Sequence, residues 1–178
     1  MKQILSFFFK KWKNDQKGVT AVEFSLVGVP FIFMVVGIVE MALMFTAQSL
    51  LEASTNQAAR EIRTGAVQQG GGVDLFDDTL CNFSDIFIPC EDIQYQVISM
   101  DDFQQAEDIP DPTFDEDGNL EDQQFTPGGV SDVVMIRTVY PYQIRTPLMQ
   151  LALAPDSGGE RLLMSTIVIQ TEPYQFED

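Results

Sequence analysis

An apolar stretch near the amino terminus constrains the fold more than any other feature of the chain. Residues 24–39 contain one hydroxyl and no charge, and the apolar stretch extends past Glu40 to Phe45. Its length matches the roughly 20 residues that a helix needs to cross the hydrocarbon core of a bilayer. The sequence therefore predicts a membrane-spanning helix over about residues 22–45.

A cleavable secretory signal is the rival interpretation of this stretch. The apolar part of such a signal is typically about 7–15 residues long and ends in small residues at a cleavage site. Residues 46–49, Thr-Ala-Gln-Ser, could be read as that site. The length of the stretch and its unbroken helical pattern favour the membrane span.

The same helix is predicted to continue beyond the membrane. Apolar residues recur there at spacings of three and four on an otherwise polar segment: Leu50, Leu51, Ala58, Ala59 and Ile62. Arg60 and Arg63 suit the negative end of the helix dipole, and Gly65 can close the helix with a left-handed cap. We predict one helix over about residues 20–64, with an amphipathic exterior half at about 46–65.

Charge predicts which side of the membrane each part occupies. The chain has a net charge of -17, but residues 1–17 hold five lysines against Asp15, which leaves -21 for the rest. Basic residues before an apolar span hold that end in the cytoplasm. We therefore predict a single-pass inner-membrane protein with its carboxy-terminal part outside. The acidic exterior predicts no nucleic-acid partner, because phosphate contact needs clustered Lys and Arg.

The part that follows the helix is predicted to be a small β-rich domain. Glycines and glutamines at 68–72 suggest a linker, and residues 93–100, 130–140 and 162–174 have the composition and alternation of strands. Residues 147–153 could form one or two helical turns. Strands joined this closely favour an antiparallel sheet. The predicted fold class is α+β, with the sheet packed on the exterior half of the long helix.

The residue types argue against catalysis. The chain has no histidine, so histidine-based acid–base catalysis and imidazole metal sites are excluded. Two cysteines alone cannot form a thiolate zinc site. Because Cys81 and Cys90 lie in the exterior part, where disulfides persist, we predict that they form a disulfide that staples the chain, with two free thiols as the alternative. We predict no enzyme activity and no cofactor.

An acidic run at about residues 101–124 raises the question of calcium. Residues 113–120 resemble part of a calcium loop, with Asp115 and Asp117 at the third and fifth positions. The first position is Thr113, however, and the twelfth is Gln124 instead of glutamate. We favour a solvated surface loop with a turn at Gly118, and keep Asp115 and Asp117 as weak calcium candidates.

A short motif precedes the apolar stretch. Residues 17–24 read Lys-Gly-Val-Thr-Ala-Val-Glu-Phe, so Glu23 is the fifth residue after Gly18. Gly-x-x-x-x-Glu ahead of an apolar run resembles the processing site of type IV prepilins and pseudopilins. The resemblance implies cleavage by a membrane aspartyl peptidase between Gly18 and Val19, with residues 1–18 as the cytoplasmic leader. Apolar residues in that leader suggest a short amphipathic stretch on the inner leaflet.

A longer signature narrows the family. Residues 21–27, Ala-Val-Glu-Phe-Ser-Leu-Val, with Pro30 and Gly-Ile-Val-Glu at 37–40, resemble the amino terminus of TadE-like proteins. These are minor pseudopilins of the tight-adherence, type IVb pilus system. Further segments that resemble the family are 58–60 and 64–65, at the end of the long helix, and 165–174, which resembles the family's carboxy-terminal strand. The resemblance implies a role in pilus assembly, with pilins, pseudopilins, the prepilin peptidase, the assembly platform and membrane lipid as partners.

The resemblance also implies roles for individual residues. Cleavage would free an α-amine at Val19, whose unperturbed pKa is near 8. In the family, the glutamate at the position of Glu23 is thought to meet such an amine, its own or a neighbour's, and so to set the stagger between helices. We assign assembly to Glu23 and Phe24. Pro30 either bends the helix or is simply tolerated. Glu40 is interpreted as a group at the membrane interface and not as a second assembly residue.

Other interpretations stay open. Glu23 could instead snorkel to the headgroups in a permanent anchor. The chain could be a type II secretion pseudopilin, which calcium-dependent folding of the acidic loop would favour, or a signal-anchored exterior binding or enzymatic domain. For the pseudopilin we predict three parts, with the leader at 1–18, the long helix at 19–66 and the exterior domain at 67–178. That domain would lie in the periplasm, or outside the cell in the pilus.

Overall fold

The computed structural model describes residues 18–85, 87–115, 118–154 and 158–174, without the side chains of Phe83 and Leu148. It contains one long helix, several short helical segments and a small antiparallel sheet, so the predicted α+β class is confirmed. The chain divides into two compact units, Met1–Glu40 and Met41–Asp178. Residues 1–17 lie outside the described part of the chain. They hold nearly all of the predicted leader, including its predicted amphipathic stretch.

The long helix, α1, spans Val19–Arg63. The prediction of one helix over residues 20–64 is confirmed to within one residue at each end. By length and composition, α1 is the one helix of the described chain that could cross a membrane, which fits a single-pass anchor. Gly65 follows it in the left-handed conformation, with a φ of 79°, and donates its N–H group to the carbonyl of Ile62. The predicted cap is therefore present.

Helical segments occupy the place of the predicted linker. A π-helical turn spans Val67–Gly71 and a second α-helix, α2, spans Gly72–Ser84. The predicted linker over residues 68–72 is a short, kinked connection, because Gly70 and Gly72 have positive φ values of 124° and 57°. Glycines suggested a flexible connection, but Phe76 and Leu80 on the next turns of α2 are buried in the core and fix the segment.

Three strands form the sheet, with the second in the middle: β1 is Gln94–Met100, β2 is Val133–Gln143 and β3 is Glu160–Gln170. Both pairings are antiparallel, as predicted, with Val97 opposite Ile136 and Ile136 opposite Ile167. The strand ends differ from the predicted ones by a few residues. A short helix separates β2 from β3 where helical turns were predicted, at Pro147–Leu153.

One face of the sheet packs on the carboxy-terminal half of α1, the half that was predicted to carry the sheet. The buried side chains there come from α1, α2 and all three strands, and include Leu51, Ala58, Ile62, Phe76, Val97, Ile136 and Ile169. Inside this core, the hydroxyls of Thr55 on α1 and Thr138 on β2 share a hydrogen bond of 2.6 Å. The pair satisfies two polar groups that would otherwise be costly to bury.

Strand β3 and the residues after it run beside α1 in the same direction. The amide of Gln48 donates to the carbonyl of Met164 at 3.1 Å, and the N–H group of Glu172 donates to the carbonyl of Arg63 at 2.9 Å. Tyr174 then lies against Gly65, so close that a Cβ on that glycine would be 2.8 Å from the tyrosine ring. The carboxy-terminal segment therefore closes over the end of α1.

The acidic run partly covers the other face of the sheet. A short helix, α3, spans Gln105–Asp108, and Ala106 and Ile109 pack against Met100 and its neighbours. Leu120 is buried and pairs with Phe114 in a small antiparallel bridge. Most of the described residues of the run are exposed, as predicted for a surface loop, but a few apolar residues within it contact the sheet.

Cys81 and Cys90 form a disulfide, as the sequence predicted. Their Cα atoms are 5.3 Å apart. Cys81 lies near the end of α2, and Cys90 begins the 3-10 turn Cys90–Asp92 that leads into β1. The bond therefore links α2 to the approach of the first strand.

Candidate functional site at the start of helix α1

The predicted processing and assembly residues lie at the amino end of α1. The helix begins at Val19, directly after Gly18, and its first turn holds no acidic side chain. The N–H groups of a first helical turn have no partner within the helix and carry a partial positive charge. Glu23 is the first carboxylate that follows. The amino end of α1, with its partial positive charge, therefore has the carboxylate of Glu23 one helical turn away.

Helix geometry places Glu23 on the same face as the backbone nitrogen of Val19. Residues four apart in a helix are neighbours, with about 5–6 Å between Cβ atoms. Because Cα–Cβ bonds tilt toward the amino end, the side chain of Glu23 is directed back toward Val19. A cationic amine at Val19 would therefore be within reach of this carboxylate, on the same chain or on an adjacent helix.

Gly18 has open surroundings. A Cβ built on Gly18 would meet no heavy atom within 4 Å. Packing in the described chain therefore gives no reason for a glycine at this position. Gly18 and Val19, on either side of the predicted cleavage bond, are both exposed.

The helix around Glu23 is apolar and exposed on all sides. Phe24 is 76% exposed, and other apolar side chains that are exposed include Val22, Leu26, Val27, Phe31, Ile32 and Met34. Glu23 is exposed as well. A helix that is apolar all round is normally buried, in lipid or against other apolar helices. The exposed surface of this segment therefore indicates an apolar environment supplied from outside the chain.

Two further predicted positions lie on α1. The helix is continuous through Pro30, whose missing N–H group leaves the carbonyl of Leu26 without its usual helical partner. A bend at Pro30 stays a prediction. Glu40 differs from Glu23 in its environment, since it is only 6% exposed.

The weak calcium candidates are only partly described. The carboxylate of Asp115 accepts hydrogen bonds from the backbone N–H group of Asn119 at 2.7 Å and from its side-chain amide at 3.1 Å. These bonds close a turn around Gly118, which has a φ of 82°. Asp117 lies outside the described residues. Within the ranges that the structure describes, no group of three or more His, Cys, Asp or Glu residues is placed to hold a metal ion.

Sequence reasoning missed a buried arginine on the central strand. Arg137 is 7% exposed, and its Nη1 donates to the side-chain oxygen of Gln96 at 3.1 Å. Burial lowers the pKa of Arg137, and the nearby Asp111 opposes that shift. The residue lines a cavity of about 410 Å³ under the acidic run. A lone arginine within the Val- and Ile-rich strand was the available signal.

Comparison with known proteins gives one family. Residues 18–60 match the family model described as TadE-like protein. The matched segment begins at Gly18 and covers most of α1. No curated protein and no solved structure matches the chain. The resemblance that the sequence motifs suggested is confirmed for this segment, and it is consistent with a protein associated with a tight-adherence pilus.

Proposed function

We propose that this chain, TadE-like over residues 18–60, is a minor pseudopilin that takes part in assembly of a tight-adherence type IVb pilus. One observation carries the proposal: Glu23 lies one helical turn after the Gly18–Val19 bond, exposed on a helix that is apolar all round. That combination is costly in an isolated membrane anchor and useful in an assembly of helices. The role is structural and not catalytic.

The cost follows from burying a charge. A carboxylate at the centre of a bilayer costs about 2.5–3.5 kcal/mol on insertion scales, and less toward the edge. A cation nearby offsets part of this cost, because attraction between charges is stronger at low dielectric. The amine that cleavage would create at Val19 is such a cation. Without cleavage, that nitrogen is a neutral peptide group.

Processing is the first step of the proposed function. The prepilin peptidase would cleave between Gly18 and Val19, on the cytoplasmic side where the lysine-rich leader lies. The open surroundings of Gly18 support access to this bond. The mature chain would then remain in the inner membrane through the apolar part of α1, with the sheet on the outside.

Assembly is the second step. The exposed apolar surface of α1 would pack against the helices of pilins and other pseudopilins, and the pairing of Glu23 with an amine would fix their stagger. Phe24, next to the carboxylate and strongly exposed, would contribute to the same contact. The assembly platform in the inner membrane would receive the processed chain, and the exterior domain would remain free of the contact.

The mature amino terminus tests the proposal directly. Mass spectrometry of the chain purified from cells that carry the pilus system should find Val19 as the first residue. Finding Met1 would contradict processing and support a permanently anchored exterior domain. A start within residues 46–50 would instead identify a cleaved secretory signal, and the membrane helix would be absent from the mature protein.

A further inference from the structure

A groove opens beside α1 where the apolar stretch of the sequence ends. Its volume is about 420 Å³, and α1 lines it with Met41, Met44, Phe45 and Gln48. These residues are three or four apart, so they share one face of the helix. All of them belong to the unit Met41–Asp178. The groove therefore belongs wholly to the second of the two compact units.

The opposite wall comes from the start of β3. Leu162 and Met164 are both exposed, and Met164 is 45% exposed even though Gln48 holds its carbonyl. Leu153, at the end of the short helix before β3, completes this wall, and Leu151 on the same helix is strongly exposed. The groove is thus an open apolar surface and not a closed core cavity.

The charge of the groove differs from that of the chain around it. None of the residues that line it is Asp or Glu, although the chain after residue 17 has a net charge of -21. One of them, Arg161, is basic and exposed, and its Nη1 donates to the carbonyl of Leu153 at 3.0 Å. This bond uses one of the five N–H donors of a guanidinium. An arginine held in place beside apolar side chains is suited to a phosphate.

We propose that this groove docks the exterior domain on the outer face of the membrane, with a zwitterionic phospholipid as its occupant. The proposal rests on the proposed membrane span. The apolar stretch ends at Phe45, so the α1 wall lies where the span leaves the hydrocarbon. Amphipathic surfaces at this level bury about 5–10 Å into the boundary between headgroups and acyl chains. Arg161 contacts the phosphate, while the apolar walls contact the first part of the acyl chains.

The acidic charge of the domain selects the kind of lipid. Anionic headgroups would be repelled by the carboxylates around the groove, whereas phosphatidylethanolamine pairs its phosphate with an ammonium group. Continuity with the apolar stretch also favours lipid over a helix of a neighbouring subunit. A neighbouring helix is the competing occupant that the experiment must separate.

Quenching of tryptophan fluorescence by brominated lipid tests the docking. The full chain contains a single tryptophan, Trp12, which is removed as Trp12→Phe. Met164→Trp then reports on the groove. Val130→Trp is a matched control, because Val130 is 44% exposed and precedes the start of β2, at the opposite end of the sheet from Leu162. In phosphatidylethanolamine vesicles brominated near the headgroup end, quenching of Met164→Trp should exceed that of the control several-fold.

Equal quenching of the two variants would overturn the proposal. Leu162→Trp is a second reporter from the same wall, which keeps the test decisive if Met164→Trp does not fold. Arg161→Gln should reduce the quenching of the groove reporter, while Arg145→Gln, with the same loss of charge, should not. No effect of Arg161→Gln would contradict contact with the phosphate. Quenching that disappears as the ratio of protein to lipid rises would identify a neighbouring copy as the occupant and overturn the lipid assignment.

A reporter in the span separates failure of this inference from failure of the proposed function. Phe33→Trp lies in the apolar part of α1 and should be quenched by lipids brominated deep in the acyl chains. If Phe33→Trp is quenched and the groove reporter is not, the docking proposal alone is wrong. If neither is quenched, the membrane span is wrong, and the proposed pseudopilin role fails with it.

Discussion

Substitution of Glu23 should impair assembly of the pilus without affecting the fold of the chain. Glu23 is exposed on α1, so Glu23→Gln removes no contact that the exterior domain needs. Membrane insertion should become more favourable, because a charge leaves an apolar helix. Cleavage should continue, since Gly18 and Val19 are unchanged. The loss should therefore be confined to association with other subunits.

The position of Glu23 determines how much free energy of association the substitution should remove. Breaking a buried ion pair by removing one partner costs about 3–5 kcal/mol. Glu23 lies four residues after Val19, about 6 Å along the helix at 1.5 Å per residue, so it is near the membrane edge where charges are less costly. We therefore expect the lower end of the range, about 3 kcal/mol, which corresponds to roughly a 100-fold weaker association.

Co-purification of partner pseudopilins measures this effect, with pilus formation as the cellular assay. Glu52→Gln is the matched control, because Glu52 is an exposed glutamate on the same helix but outside its apolar part. It accepts a hydrogen bond from Gln48, and pairs of this kind contribute only about 0.2–0.5 kcal/mol. Protein level and the mass of the mature chain must match in all variants. If Glu23→Gln and Glu23→Ala assemble as well as Glu52→Gln, the carboxylate is a passive interfacial group and the proposed assembly mechanism is wrong.

Three other predictions follow from particular contacts. Gly18→Val should accumulate a precursor heavier by the 18-residue leader, with unchanged thermal unfolding because a Cβ there meets no atom; normal maturation would refute the cleavage site. Gly65→Ala should lower the free energy of unfolding of the exterior domain by about 1–2 kcal/mol, measured with denaturant, because φ is positive there. A clash of the new Cβ with the Tyr174 ring should add a second loss of stability. In a Tyr174→Ala background this second loss should be absent. If the unfolding free-energy changes of the two single substitutions simply add in the double variant, the contact is not there. Non-reduced digests should contain a peptide that links Cys81 to Cys90, and alkylation of both cysteines without reduction would exclude the bond.

The long helix could be predicted because its signals are local. An apolar stretch followed by a stripe at spacings of three and four predicts a helix without knowledge of any partner. The strands were predicted for the same reason, since alternating apolar residues such as Ile167 and Ile169 indicate one buried face. Their ends were less certain, because where a strand stops depends on its neighbour in the sheet.

The errors arose where distant contacts decide the structure. Glycines at residues 70–72 are typical of a linker, and they form a kink, but the burial of Phe76 and Leu80 fixes a helix directly after it. Spacing of Val73, Phe76 and Leu80 at three and four was the signal that the prediction overlooked. In the acidic run, ten carboxylates concealed the few apolar residues that contact the sheet. Composition described the surface of that segment but not its buried side.

The candidate site shows the same division between local and distant information. The motif alone places Glu23 one turn after Gly18 and assigns assembly to it, but the sequence says nothing about how exposed Glu23 and Glu40 are. The structure supplies that exposure. Glu23 is exposed, whereas Glu40 is 6% exposed within the chain itself. A neighbouring amine could therefore approach Glu23 more readily than Glu40. This difference in exposure favours Glu23 as the assembly carboxylate, and it predicts that Glu40→Gln will alter the stability of the chain before it alters its association with other subunits.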